Sequence, residues 1–273
     1  GMTTRLRERL RAFGIAPKKH LGQNFLHDPQ ALASVADAAG AEAPPGIVEI
    51  GAGPGTLTDH LARLGVPLLA LERDPDLVRL LRAHFEDAPH VEVREGDILR
   101  FDFAEGPAGK PPAVVGNIPY NISTPILLHL LAHRARLGPV VLMLQAELAT
   151  RLRAPVGTRA SGSLTVLLAL HARVERVLSL PPGAFFPAPK VASEVLRIRF
   201  RSAPAVAVDP ERFERVVRAG FGQRRKTLRN ALAAGFGKAE VDRLRAESSV
   251  DLRRRAETLT LDEWASLTRT LTR

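Results

Sequence analysis

Between residues 47 and 145 short apolar runs alternate with amphipathic stretches. Ile47–Ile50, Val66–Leu71, Ala113–Val115 and Val140–Leu144 are continuous apolar runs, and Val91–Arg94 alternates, so all five read as strands. The segments Thr56–Leu64, Pro75–Phe85 and Thr124–His133 carry helical spacing between them. This βαβα order predicts an α/β fold with a mostly parallel, doubly wound sheet. Ahead of it, residues 4–13 have helical character, and Asp28-Pro29 supplies a cap and a first-turn proline for a helix running to Ala39. After residue 145 the pattern predicts a helix to about Arg153 and a glycine-containing loop. Leu164–Leu180 and Val191–Phe200 follow, with antiparallel strands on the sheet edge. A break at Ala203-Pro204-Ala205 and a second cap-plus-proline start at Asp209-Pro210 open a helical remainder. The domains expected are therefore 1–203, carrying the sheet, and 204–273, small and all-α.

Composition narrows the class. The chain of 273 residues has no cysteine, which excludes a disulfide framework, a thiolate metal site and a cysteine nucleophile, and fits a cytoplasmic protein. No apolar run approaches the ~20 residues of a membrane helix, and the basic N-terminus (Arg5, Arg7, Arg9, Arg11) is followed by no apolar segment of a secretion signal. The net charge is +10. Residues 201–273 hold 16 basic and 10 acidic side chains and residues 1–34 hold 6 and 2, so the two ends account for the whole excess. Such local excess points to an anionic polymer, nucleic acid or a ribosome surface.

The chemistry sits at the strand ends. Glu49-Ile50-Gly51-Ala52-Gly53-Pro54-Gly55-Thr56 follows the first strand of the sheet and opens a helix, and its glycines let backbone approach a ligand closely. A dinucleotide fingerprint would need a third glycine where Thr56 stands, so NAD is disfavoured. Glu72 ends the second strand, where a carboxylate can accept from ribose hydroxyls, and Asp97 follows the third, placed to accept from an adenine amine. Either acid alone is commonly a solvated loop carboxylate. Together, after the glycine turn, they mark the edge of an open sheet where ligands bind. Asn117-Ile118-Pro119-Tyr120 follows the fourth strand: an amide oxygen, a rigid turn and a stacking ring, suited to a flat amine-bearing substrate. His129 and His133 are four apart on a helix with no third ligand nearby, and read as helix-face histidines, not a metal pair.

The E-x-G-x-G-x-G turn resembles the first motif of class I S-adenosylmethionine (SAM)-dependent methyltransferases, whose fold is Rossmann-like. With Asn117–Tyr120 the chain resembles the ribosomal RNA adenine N6-dimethyltransferase family, and within it the bacterial small-subunit branch. The resemblance spans nearly the whole chain: Lys18–Leu26, the glycine turn, Asn117–Pro125, Phe185–Val191 and Phe221–Asn230. It implies SAM as cofactor, with Asn24 and Leu26 closing over its methionine end, Gly51 packing against it, Glu72 on the ribose, Asp97 on the adenine amine, and Asn117 bordering cofactor and target. It implies Asn117, Tyr120 and Phe185 as catalytic residues, with Tyr120 and Phe185 sandwiching the target adenine; Phe186 falls at a variable position. The surrounding prolines predict a rigid exposed turn about Phe185. Ala146 and Ser161 depart from the commoner Lys and Tyr, and Ile118 from Leu.

The activity implied is dimethylation of the N6 amines of two adjacent adenines near the 3′ end of small-subunit (16S) rRNA. The partner implied is the rRNA within a pre-small ribosomal subunit, engaged by a monomer without metal or membrane. Two other readings stay open: a large-subunit rRNA adenine methyltransferase of the antibiotic-resistance type, and an assembly factor whose binding matters more than its catalysis.

Overall fold

The computed structural model describes residues 2–223 and 225–271; Arg224, within the Phe221–Asn230 motif, lies outside them. Two compact units emerge: Gly1–Ala149 with Glu175–Phe200, and Thr150–Val174 with Arg201–Arg273.

The strands are β1 (Phe25–Leu26), β2 (Ile47–Ile50), β3 (Leu68–Glu72), β4 (Val91–Glu95), β5 (Ala113–Asn117), β6 (Val140–Gln145), β7 (Ala172–Leu180), β8 (Phe185–Phe186) and β9 (Ser193–Phe200). The helices are α1 (Met2–Ala12), α2 (Pro29–Gly40), α3 (Thr56–Ala62), α4 (Pro75–His84), α5 (Ser123–Ala132), α6 (Ala146–Leu152), α7 (Ser163–His171), α8 (Pro210–Phe221), α9 (Leu228–Phe236), α10 (Lys238–Glu247) and α11 (Leu261–Leu271).

In the first unit the sheet order is β4-β3-β2-β5-β6-β9-β7. The strands from β4 to β6 are parallel, and β9 pairs antiparallel with β6. Every residue of β2 and β3 is buried, as expected of strands covered on both faces. The chain leaves β2 towards β3 on one side and returns to β5 on the other, so the topological switch point lies at the carboxyl ends of β2 and β5. Those ends approach closely at Ile50 and Gly116: a Cβ at Gly116 would stand 2.8 Å from the Ile50 carbonyl oxygen. The pairing requires glycine there. Asp28 caps α2, its carboxylate accepting from the Ala31 N–H at 2.9 Å, with Pro29 in the first turn.

The second unit corrects the expected boundary at 203/204, because Thr150–Val174 groups with the C-terminal helices. Its helix α7 packs on α8 and α11. A run such as Leu164–Leu170 does not by periodicity alone reveal whether it belongs to a sheet layer or a helical core. Asp209 caps α8, accepting from the Arg212 N–H, and Phe213, Val216, Leu232, Leu244, Trp264 and Leu267 fill the core. No helix among the described residues is long and apolar enough to cross a membrane.

Candidate active site

One cavity opens at the switch point, walled by Asn24, Gly51, Gly53, Glu72, Asp97, Asn117 and Pro119 among others. Gly51 turns out of β2 with φ +67, and a Cβ built on it would meet only the Asn117 carbonyl oxygen, at 3.7 Å. The floor is thus backbone, open to a ligand. Glu72, at the end of β3, accepts from the Gly53 N–H at 2.9 Å through one oxygen and from the Asp74 N–H at 2.8 Å through the other. Burial pushes its carboxyl up, against those backbone bonds, which pull it down. The Arg73 N–H adds a third backbone bond, and the acceptor capacity the carboxylate retains is available to a hydroxyl donor. Asp97 accepts from the Leu99 N–H at 3.0 Å through Oδ1, and its Oδ2 is left for a ligand.

The cavity's outer wall is the segment Leu21–Phe25, held down by Gln23 within it and by Lys18 just before it. Lys18 Nζ lies 2.8 Å from Asp74 Oδ1 and 2.9 Å from Asp76 Oδ2. Gln23 Nε2 donates to Asp74 Oδ2 at 2.9 Å, while its Oε1 accepts from the Lys18 N–H at 2.8 Å. Burial alone would raise the Asp74 carboxyl; the bonds from Lys18, Gln23 and the Asp76 N–H outweigh it and hold the group below its ordinary value. Across the cavity, Asn117 Nδ2 donates to the Asn24 carbonyl at 2.6 Å. That bond fixes which way the amide points: the nitrogen is spent on Asn24, and Oδ1 remains as acceptor.

Asn24, Gly51, Glu72, Asp97 and Asn117 therefore line one cavity. Leu26 does not line the cavity; its side chain is buried in the core, and its carbonyl accepts from Thr56 Oγ1 at 2.6 Å, tying β1 to the start of α3. Tyr120 stands beside the cavity, half-buried, its hydroxyl bonded to Ser193 and its phenol raised by burial.

Phe185 departs from the expected exposed turn. It is 4 % exposed, paired with Leu26 in the antiparallel β1–β8 ribbon and packed with Leu32 and Val195 in the core. Successive side chains on a strand face opposite ways, so Phe186 takes the outer side, where the Arg7 guanidinium lies 4.7 Å from its ring centroid. The prolines shape the backbone on both sides of β8, Pro181 and Pro182 before it and Pro187 and Pro189 after; they say nothing about which face of β8 is covered.

Lys18, Gln23 and Asp74 carry no separate signal in the sequence, because their partners lie more than 50 residues away or in a turn. The hint available is the motif they sit in and the Asp74-Pro75 helix start. They also qualify the basic N-terminus. Lys18 is committed to Asp74, and Arg9 bonds Asp59 at 3.0 Å and the Pro54 carbonyl at 2.9 Å, so part of that excess is spent inside the unit. His129 and His133 lie with ring centroids 4.4 Å apart beside Phe103, and no group of three metal-ligating side chains forms among the described residues.

A family model described as ribosomal RNA adenine dimethylase matches residues 15–273. A ribosomal RNA small subunit methyltransferase A from Geobacter sulfurreducens is 46 % identical over 269 residues, 96 % of this chain and 98 % of the relative. One of the same name from Anaeromyxobacter sp. (strain K) is 45 % identical over 271 residues, 95 % of each. Among solved structures, the 23S rRNA methyltransferase ErmE superposes with TM-score 0.69 at 27 % identity, over 92 % of this chain and 100 % of that one. A dimethyladenosine transferase from Plasmodium falciparum, with TM-score 0.72 at 24 % identity over 89 % and 95 %, shares the fold. A cavity at the switch point that gathers Glu72, Asp97 and an anchored Asn117 amide agrees with a family match over residues 15–273: this chain belongs to the ribosomal RNA adenine dimethylase family.

Proposed function

We propose that this chain moves methyl groups from SAM to the N6 amines of two adjacent adenines near the 3′ end of small-subunit (16S) rRNA. It acts in the cytoplasm, as a monomer, on a pre-small ribosomal subunit. The observation that carries the reading is the Asn117–Asn24 bond, which leaves an amide oxygen as acceptor on the wall of a cavity shared with Gly51, Glu72 and Asp97.

The residues present fit the cofactor. Gly51 leaves open space over the β2 turn, Glu72 keeps acceptor capacity for ribose hydroxyls, and Asp97 Oδ2 is available to an adenine amine. SAM, when bound, supplies an electrophilic methyl group on a sulfonium. The chain's own part is to prepare the nucleophile. An exocyclic adenine nitrogen is poor because its lone pair is delocalised into the ring. The Asn117 Oδ1 and the Ile118 backbone carbonyl accept hydrogen bonds from its N–H groups, drawing the nitrogen towards tetrahedral geometry and freeing the lone pair; the proton that the methylated nitrogen then sheds passes to water. Positioning and fixed dipoles do this work without a strong base. Tyr120 offers a ring face to the extruded base, and such stacking is worth roughly 1–3 kcal/mol. Phe185, buried in the core opposite Leu26, holds the β1–β8 ribbon from within.

The resemblance to ErmE favours a second reading, large-subunit rRNA as substrate. The identities weigh against it: 45–46 % to relatives named for the small subunit, 27 % to that enzyme. Incubation with labelled SAM and separately purified, unmodified small and large subunits, followed by nucleoside mapping, decides. Dimethyladenosine confined to small-subunit RNA supports the proposal; label in the large subunit overturns it.

A further inference from the structure

The second unit holds a cavity of about 180 Å³ of its own, walled by Arg151, Arg159, Ala160, Ser161, Phe221 and Glu257. Ser161 is 5 % exposed, and its Oγ has no hydrogen-bond partner. A buried hydroxyl left without a partner is costly, and its place on a cavity wall points to a ligand atom that completes it. Behind the wall, Trp264 stacks its ring on Phe221 at 5.4 Å and 25°, and its Nε1 is likewise buried without a partner. Trp264 reaches that position because residue 220 is glycine: a Cβ there would stand 2.5 Å from the indole. Phe221 is thus a ring braced from behind by a fixed indole, and only half-buried on the cavity wall.

The polar groups around this ring are of both kinds. Arg151 and Arg159 only donate, Glu257 only accepts, and Ser161 can do either. Arg159 and Glu257 enter no ion pair among the described residues. A bare phosphate, acceptor-only and anionic, would suit the arginines and be repelled by Glu257. The edge of a nucleobase carries donors and acceptors together, and every base has a face to lay on an aromatic ring. Further along the chain, Arg225 and Lys226 are exposed and enter no ion pair among the described residues.

We infer that this cavity is a second nucleotide subsite, taking one unstacked, unmethylated RNA base against Phe221 with its edge on Ser161, Arg159 and Glu257. It rests on the RNA-methylating reading above and adds to it a docking point in the helical unit, built apart from the transfer site.

Trp264 is the chain's single tryptophan, so its emission reports this wall alone. The full chain is titrated with a short single-stranded oligoribonucleotide and, separately, with polyphosphate. The expected result is a saturable change in Trp264 emission with the oligoribonucleotide and none with polyphosphate. Affinity should be about tenfold weaker in Ser161→Leu, which fills the cavity, and in Arg159→Glu, whose exposed site leaves folding undisturbed. No response, an equal response to polyphosphate, or unchanged affinity in both variants overturns the subsite. Methyl transfer by the unaltered chain to purified small subunits is measured alongside. Transfer without a Trp264 response sinks the subsite alone, whereas absent transfer sinks the enzymatic reading.

Discussion

Lys18 and Asp74, 56 residues apart, meet at 2.8 Å with the Asp74 side chain wholly buried, and Gln23 shares the same carboxylate. The pair fastens the Leu21–Phe25 wall to the turn that follows Glu72, so the outer side of the cofactor cavity is held by Lys18 and Asp74, neither of which lines it. Asp74→Asn keeps the shape and removes the charge from both bonds. Charge-assisted bonds contribute about 1.5–3 kcal/mol, and if part of that holds the wall closed, SAM should bind roughly tenfold more weakly. Equilibrium binding of SAM tests this; unchanged affinity with lowered thermal stability would reduce the pair to a structural tie. Because the Asp74 carboxyl is held low in the folded chain, its contribution is present above pH 3.8 and fades as pH falls through the lower folded value.

Asn117→Ala removes the acceptor aimed at the target amine. Transfer should fall about 10²–10³-fold in kcat, the usual cost of losing one preorganised polar group, while SAM binding stays within about tenfold. Asn117→Asp retains an acceptor but loses the donor to the Asn24 carbonyl, so its deficit reports the anchor separately. Single-turnover transfer and cofactor titration on both variants check the division; full turnover in the alanine variant would contradict the role given to Oδ1.

Glu49 gives the fold a pH signature. It is 2 % exposed below the glycine turn, and burial pushes its carboxyl up to about 8, against a 2.5 Å bond from Thr58 Oγ1 that pulls the other way. Unfolded, the group titrates near 4.5. Between those values the folded chain holds a proton that the unfolded chain has lost, so stability declines as pH rises from about 4.5 to about 8 and levels above. Glu49→Gln should flatten that decline, a difference on the order of a few kcal/mol across the window. Urea midpoints measured from pH 4.5 to 8.5 decide it: parallel curves for the two proteins would show that Glu49 does not titrate this way.

What could be read from the sequence follows the range of each interaction. Ile47–Ile50 is a strand with the same limits in pattern and structure, and Asp28 and Asp209 cap the helices their prolines announce, because runs and caps are settled within a few residues. Glu72, Asp97 and Asn117 could be placed because strand ends in a parallel sheet share one edge. The bonds from Lys18 to Asp74 and from Asn117 to Asn24 span 56 and 93 residues and leave no local pattern. The membership of Thr150–Val174 in the helical unit is likewise a matter of which core accepts an apolar helix. The facing of Phe185 depended on a two-residue ribbon with β1, too short for alternation to show.

That facing separates two roles for one ring. Phe185 opposes Leu26 and is 4 % exposed, so Phe185→Ala should cost about 3–5 kcal/mol of stability, as deletion of a buried aromatic does. The alanine variant alone is ambiguous, since a loosened wall also disturbs transfer. Phe185→Leu keeps most of the packed volume and discards the aromatic face. If the ring works by packing, the leucine variant should recover most of both the denaturant midpoint and kcat. A leucine variant as stable as the parent yet inactive would mean that the ring is uncovered during the reaction and touches the base, returning Phe185 to the adenine pocket.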